Sequence, residues 1–307
     1  MRGVHPAPYL PRMTTAHAWI LAARPKTLGA AIAPVLLAGA LAANHGVFDA
    51  LPWALALSCA LLIQIGTNFA NDYFDHRKGA DTPARIGFKR ATSSGWITPQ
   101  AMWRATVLTM AAAFVLGLTL VWHAGWPILL IGALSILFGF LYTGGPFPLG
   151  YNGLGDVFVF LFFGLAAVMG TYYVMALRWS AESFWVALAV GALAVNLLVV
   201  NNLRDVETDR KAGKRTLGVL FGETVLKVEY SLMVLLAYAI PPHLFVQEGY
   251  RWTVFLPVLA LPLLIRPMRQ VWTHTDKRAL NGVLITTGAF LSVYSLLLAF
   301  GIWLDAP

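Results

Sequence analysis

An all-α integral membrane protein of about nine transmembrane helices is what this sequence predicts, and three observations predict it. Of 307 residues, 58% are hydrophobic and only 12% are charged, with a mean hydropathy of +0.68, a balance too apolar for a water-soluble domain. The apolar residues collect in windows close to the roughly 20 residues that cross a bilayer as a helix. Finally, 20 of the 22 lysines and arginines fall on alternate connections between those windows, as they do when cations are sorted across a membrane.

The windows run, in chain order, from Trp19 to Ala43, Leu51 to Phe74, Met102 to Trp122, Trp126 to Tyr142, Leu154 to Leu177, Phe184 to Leu203, Leu226 to Val246, Trp252 to Ile265 and Val283 to Leu304. The eighth is the weakest, being short and holding Pro257 and Pro262, although packed neighbours make proline tolerable in a membrane helix. Residues 1–15 form a short tail, and 1–307 reads as a single transmembrane domain. No secretory signal is expected, because the first apolar stretch is too long and lacks a small-residue cleavage site. Cys59 is the only cysteine, which excludes a disulfide framework, a cysteine metal site and thiol chemistry as the main activity.

The cations set the orientation. Arg2, Arg12, Arg24 and Lys26 lie in the N-terminal segment; Arg77, Lys78, Arg85, Lys89, Arg90 and Arg104 follow the second span; Arg204, Arg210, Lys211, Lys214, Arg215 and Lys227 follow the sixth; Arg266, Arg269, Lys277 and Arg278 follow the eighth. Only Arg178 and Arg251 fall on the other side. With an odd number of spans, this places the N-terminus in the cytoplasm and the C-terminus outside. The net charge of +8 is thus a topological signal and not a nucleic-acid footprint.

Two of the basic connections also carry half of the 14 acids. On a helix Asn68, Asp72 and Asp75 share one face, and so do Asn201, Asp205 and Asp209. Carboxylates repel at this spacing and are costly at membrane depth, so a cation is expected among them. Oxygen donors without paired histidines or cysteines favour a hard ion, and Mg²⁺ that completes its shell with phosphate oxygens fits best. The alternating lysines and arginines suit a ligand more anionic than its metal can neutralise, such as a diphosphate. Solvated loops with helix-capping aspartates, or a transporter or lipid carrier, are the competing readings. Gln64 and Asn196 read as interhelical hydrogen-bond partners. Asp156 either approaches the cluster or complements a helix dipole. The stretch Gly144 to Gly150 carries no basic residue and reads as a flexible loop, not a phosphate cradle.

The motifs Ala23-Arg24-Pro25-Lys26-Thr27-Leu28, Asn71-Asp72-Tyr73-x-Asp75-x-x-Lys78-Gly79-x-Asp81, Arg85-Ile86-Gly87-x-Lys89-Arg90, Tyr142-Thr143-Gly144-Gly145-Pro146 and Asn202-x-x-Arg204-Asp205-x-x-x-Asp209-Arg210-x-x-Gly213-Lys214 together resemble the UbiA superfamily of intramembrane prenyltransferases. Within it they are most similar to the branch that prenylates 1,4-dihydroxy-2-naphthoate for menaquinone synthesis. The resemblance implies nine helices around a central cavity open to the cytosolic side of the cytoplasmic (inner) membrane. It implies Mg²⁺-dependent transfer from a polyprenyl diphosphate, with loss of CO₂ from the acceptor. Asp72, Asp75, Asp205 and Asp209 are then the catalytic acids, binding metal together with Asn68 and Asn201. Lys78, Arg85, Arg90, Arg210, Lys214 and Tyr142 are candidates for substrate contacts, and Arg24 for the acceptor's carboxylate. Another aromatic acceptor, such as 4-hydroxybenzoate or homogentisate, is the alternative. Gly79 stands where many superfamily members have a third aspartate, and Phe88 where the naphthoate branch would have proline.

Overall fold

The computed structural model describes residues 14–81 and 86–306; Arg85, a candidate diphosphate contact, lies outside the described residues. All regular structure among them is helical. Eight elements are long and apolar enough to cross a membrane, and a ninth apolar helix, Trp126–Leu141, is shorter. This agrees with the nine spans expected.

The first expected span is two helices, α1 (Thr15–Ala23) and α2 (Pro25–Asn44), with Arg24 between them at φ 53°. Pro25 bars Arg24 from the right-handed helical region, and Pro25 itself is well suited to open α2. A non-glycine residue in the left-handed region costs about 1–2 kcal/mol. Neighbouring bonds hold it there: Asn68 Nδ2 donates to Ala23 O at 3.0 Å, and Arg24 Nη2 donates to Asn68 O at 3.4 Å. Only α2 crosses, and α1 packs against α3 (Ala50–Arg77).

The helices α4 (Pro99–Ala124) and α5 (Trp126–Leu141) turn back at Gly125. The fifth span joins α6 (Gly155–Val159), a π-helical stretch Phe160–Ala166, and α7 (Ala167–Ala176). The wide π turn lies where Gly164 meets Gly191 of α8 (Ala181–Lys211): a Cβ on Gly164 would stand 2.7 Å from Ala187 O and 2.9 Å from Gly191 Cα. Small residues bring the two backbones together here. After α8 come the short α9 (Leu217–Phe221) and α10 (Glu223–Gln247). The weak eighth window is longer than its apolar core suggested. It runs as a 3₁₀ helix Trp252–Ala260, with Pro257 inside, into α11 (Leu261–Thr273), whose first turn holds Pro262. Proline deletes a helical donor, so it sits where donors are unpaired or the helix is wound differently. The last element is α12 (Leu280–Trp303).

α8 is the most buried span and packs against α10, α12 and the π stretch. Asn196 Nδ2 donates to Tyr230 O at 3.2 Å and Gln64 Nε2 to Thr27 Oγ1 at 3.2 Å, the interhelical roles expected of them. The cation-bearing connections meet at one end of the bundle. Asn281 donates to Ile86 O, Lys277 to Leu203 O, and the Arg215 amide to Tyr151 O. At the opposite end His45 bonds to Tyr172 OH at 2.7 Å, and Arg251 pairs with Asp305.

The close approach at the π turn has a measurable consequence. Gly164→Val should lower the unfolding temperature in detergent by the equivalent of about 1–3 kcal/mol, the usual scale for overpacking. Gly132→Ala, which faces open space, should leave it unchanged.

Candidate active site

Asn68, Asp72 and Asp75 lie on the last turns of α3, and Asp205 and Asp209 on those of α8; all five are under 10% exposed. Buried carboxylates must be paired or hydrogen-bonded, and the way each is paired divides them into two groups.

The first group surrounds Tyr151, in the 3₁₀ turn Leu149–Tyr151. Tyr151 OH donates to Asp75 Oδ1 at 2.7 Å. Lys78 Nζ stands 4.6 Å from the centre of its ring and Lys214 Nζ 4.7 Å. Lys214 pairs with Asp209 Oδ1 at 3.2 Å, and Lys78 donates to Thr143 O at 2.7 Å. Arg90 Nη2 pairs with Asp75 Oδ2 at 3.2 Å, and Arg90 Nε faces Asp81 Oδ1 at 3.7 Å. One tyrosine therefore ties the acidic turn of α3 to that of α8, with an ammonium against its ring on behalf of each motif. Burial pushes the Lys78 ammonium down, opposed by the Asp75 charge, and the nearby Lys214 charge pushes the same way as burial. Burial and then the Asp75 charge push the Tyr151 phenol well above its ordinary range, so it stays a donor.

The second group holds backbone and loops in place. Asp72 Oδ2 and Oδ1 accept from the amides of Ala91 and Thr92 at 2.9 and 3.0 Å. Asp205 takes a two-point contact from Arg204, Nε at 2.8 Å and Nη2 at 2.6 Å. Arg204 also donates to Asn201 Oδ1 and Asn281 Oδ1. A Cβ on Gly87 would stand 2.7 Å from Arg204 Nη2, so the connection after α3 rests closely on this guanidinium. Thus Asp72 and Asp205, from different helices, fasten the same segment over the basic end of the bundle.

Other candidates are placed as follows. Asn68 Nδ2 also donates to Thr27 Oγ1, and Asn201 Nδ2 to Leu197 O in its own helix. Arg210 is exposed beside buried Asp209. Tyr142 lies in the fields of Asp156, Asp75 and Asp209. Together with Asn68 and Asn71 it lines the basic end of a cavity of about 320 Å³ that reaches Cys59, Val121 and Val174 between α2, α3, α4, α5 and the fifth span. Among the described residues no three His, Cys, Asp or Glu side chains stand close enough to cage a metal. The donors are nonetheless all hard oxygens, with ammonium and guanidinium groups already at Asp75 and Asp209. That fits an ion held by few carboxylates and completed by its substrate's phosphates.

Tyr151 and Arg204 escaped the sequence reading as site residues. The loop from Gly144 supplies no cation, as expected, but it ends in the tyrosine that positions two of them, and nothing in its spacing marks this. Arg204 had a legible signal in its adjacency to Asp205.

The UbiA prenyltransferase family profile matches residues 31–294. The chain is 39% identical over 306 residues to the 1,4-dihydroxy-2-naphthoate octaprenyltransferase of Escherichia coli (strain K12), covering 96% of this chain and 97% of that protein. It is 38% identical to the protein of that name from Mycobacterium tuberculosis (strain ATCC 25618 / H37Rv), covering 92% and 95%. A solved UbiA homolog from Archaeoglobus fulgidus bound to GPP and Mg²⁺ shares the fold, with a TM-score of 0.64 at 14% identity, covering 93% of this chain and 99% of that one. The chain belongs to the UbiA prenyltransferase family.

Proposed function

We propose that this protein transfers a polyprenyl group from polyprenyl diphosphate to 1,4-dihydroxy-2-naphthoate, releasing diphosphate and CO₂. The observation that carries this reading is the Tyr151 clamp, in which two lysines and two aspartates from separate motifs meet, linked through Lys78 and Thr143 to Asn71 in the wall of an apolar cavity. The names of the bacterial relatives supply the acceptor and the chain class.

Lys78, Lys214 and Arg90 receive the diphosphate and stabilise the charge that grows on it as the allylic carbon–oxygen bond breaks, the preorganised electrostatic role that usually contributes most to catalysis. Asp72, Asp75, Asp205 and Asp209, with the amide oxygens of Asn68 and Asn201, are the residues that would hold Mg²⁺. When bound, Mg²⁺ supplies Lewis acidity toward the leaving group. The apolar cavity houses the prenyl chain and keeps water from the allylic cation. Tyr142 at its mouth and the packed rings of Phe138, Phe158 and Phe162 in its wall offer aromatic faces to positive charge. Arg24, next to Asn68, takes the acceptor carboxylate. The protein works in the cytoplasmic membrane with its N-terminus in the cytoplasm and its C-terminus outside.

Three experiments test this. First, purified protein given a polyprenyl diphosphate and a panel of aromatic acids should prenylate the naphthoate, lose activity in EDTA and regain it with Mg²⁺. Full activity after chelation would sink the metal assignment, and preference for 4-hydroxybenzoate or homogentisate would move the acceptor. Second, Tyr151→Phe keeps the ring against both lysines and should cost less than about tenfold in kcat/KM, whereas Tyr151→Ala releases both and should cost about 10²-fold or more, as for a lost electrostatic contact at a reacting centre. Equal losses would show that the ring does not position the lysines. Third, with Cys59 replaced by alanine, a cysteine at Ala212 should be labelled only from the cytosolic side and one at Ala306 only from outside. Labelling of both from one side would overturn the orientation.

A further inference from the structure

Prenyl transfer to a hydroxylated ring needs a base. As the ring carbon attacks, electron density flows from the ring oxygen, and its proton must leave for the bond to form without a fully cationic ring. The four motif aspartates are poorly suited to accept it. Asp72 takes two backbone amides, Asp75 a phenol and a guanidinium, Asp205 a two-point arginine contact, and Asp209 an ammonium, so their oxygens are already engaged.

Asp156 differs from all of them. It is 6% exposed, and its Oδ1 has no hydrogen-bond partner among the described residues. Phe158, Val159, Phe162 and Phe163 of its span line the cavity; one turn before Phe158 and Val159 come Gly155 and Asp156. A Cβ on Gly155 would stand 3.1 Å from Tyr142 OH, and of the charges that act on that phenol, Asp156 is the strongest. Asp156 therefore lies beside the cavity-lining Tyr142, one turn before the cavity-lining Phe158 and Val159. A buried carboxylate oxygen without a partner weakens a fold; the Asp156 carboxylate is otherwise met by its own backbone N–H in the first turn of α6.

We propose that Asp156 is the general base of the transfer, accepting the ring-hydroxyl proton of the aromatic acceptor. This rests on the function proposed above. The hydroxyl proton passes to the Asp156 carboxylate while a ring electron pair forms the new carbon–carbon bond and the allylic carbon–oxygen bond breaks, its pair leaving on diphosphate. The carbon–carbon bond to the carboxylate then breaks, CO₂ departs, its electron pair restores the ring, and the ring oxygen recovers the proton from Asp156. No proton is gained or lost overall, so the base is regenerated each turnover. The ionisable groups around Asp156 are the Tyr142 phenol and Glu229 of α10, both of which feel its charge.

The test compares wild type, Asp156→Asn and Asp156→Glu with Mg²⁺, farnesyl or octaprenyl diphosphate and 1,4-dihydroxy-2-naphthoate. In the asparagine variant kcat should fall about 10²-fold or more, the usual worth of a general base, with KM for the prenyl diphosphate unchanged. Wild-type kcat should rise with pH through a single ionisation and level off. The asparagine variant should lack that limb and instead gain rate with hydroxide, and the glutamate variant should recover part of the loss. An asparagine variant within about threefold of wild-type kcat, or one that keeps the wild-type pH limb, would overturn the proposal. If that variant does not fold, a wild-type kcat that shows no ionisation overturns it equally. Should wild type refuse the naphthoate but prenylate another hydroxylated acid, the acceptor assignment falls and Asp156 is judged with that acid. Should it prenylate none, both readings fall.

Discussion

The constraint on which this structure depends is the cost of holding five buried acids at one end of an apolar bundle. A carboxylate withdrawn from water must be met by a cation or by hydrogen-bond donors, and here four of the five are met by groups from outside their own acidic turn or by a neighbour that reaches beyond it. Asp72 reaches the turn at residues 91–92, and Asp75 reaches Tyr151 and Arg90. Asp209 is met by Lys214, which also stands against the Tyr151 ring. Asp205 has Arg204, whose other donors reach α12. The connections outside the membrane take their course from these pairings, so the loops over the site are shaped by the same charges that equip it.

That arrangement explains what could be read from the sequence and what could not. The spans were legible because bilayer thickness and hydropathy determine them with little help from neighbours. The two acidic faces were legible because i, i+3 and i, i+4 spacing is a local property of a helix. The break at Arg24 was present as an Arg-Pro pair, yet the continuous apolar run around it outweighed that signal. The partners of Asp72 were not legible, since they are backbone amides, which every sequence offers everywhere. Nor was Tyr151, whose importance comes from the meeting of α3, the loop after α5 and the loop after α8, a fact of tertiary structure alone. Arg204 and Asp205 are neighbours whose side chains would normally diverge on a helix; burial among Gly87, Asn201 and Asn281 bends the guanidinium back.

The division of the aspartates into two groups also separates two demands on such a site. One pair, Asp75 and Asp209, is turned toward long-stemmed cations and an aromatic ring. The other, Asp72 and Asp205, also holds backbone and loops in place. Because the first motif and the second each contribute one member to each group, neither helix end can move without disturbing both the frame and the Tyr151 contacts.

The short helix α5 has a consequence for the membrane itself. Its 16 residues span about 24 Å at the usual rise, less than the roughly 30 Å of a typical hydrocarbon layer. Leu129, Leu130 and Leu137 on this helix are exposed, and Trp122 and Trp126 mark its far boundary, so it borders lipid as well as the cavity. Hydrophobic mismatch is relieved by thinning the surrounding layer or by tilting the helix, and α5 is fastened to α4 by a single residue, Gly125. Where the layer thins beside so short a helix, headgroups and water come inward. Acyl-chain length is thus a variable that acts on this protein without touching a single side chain of the site.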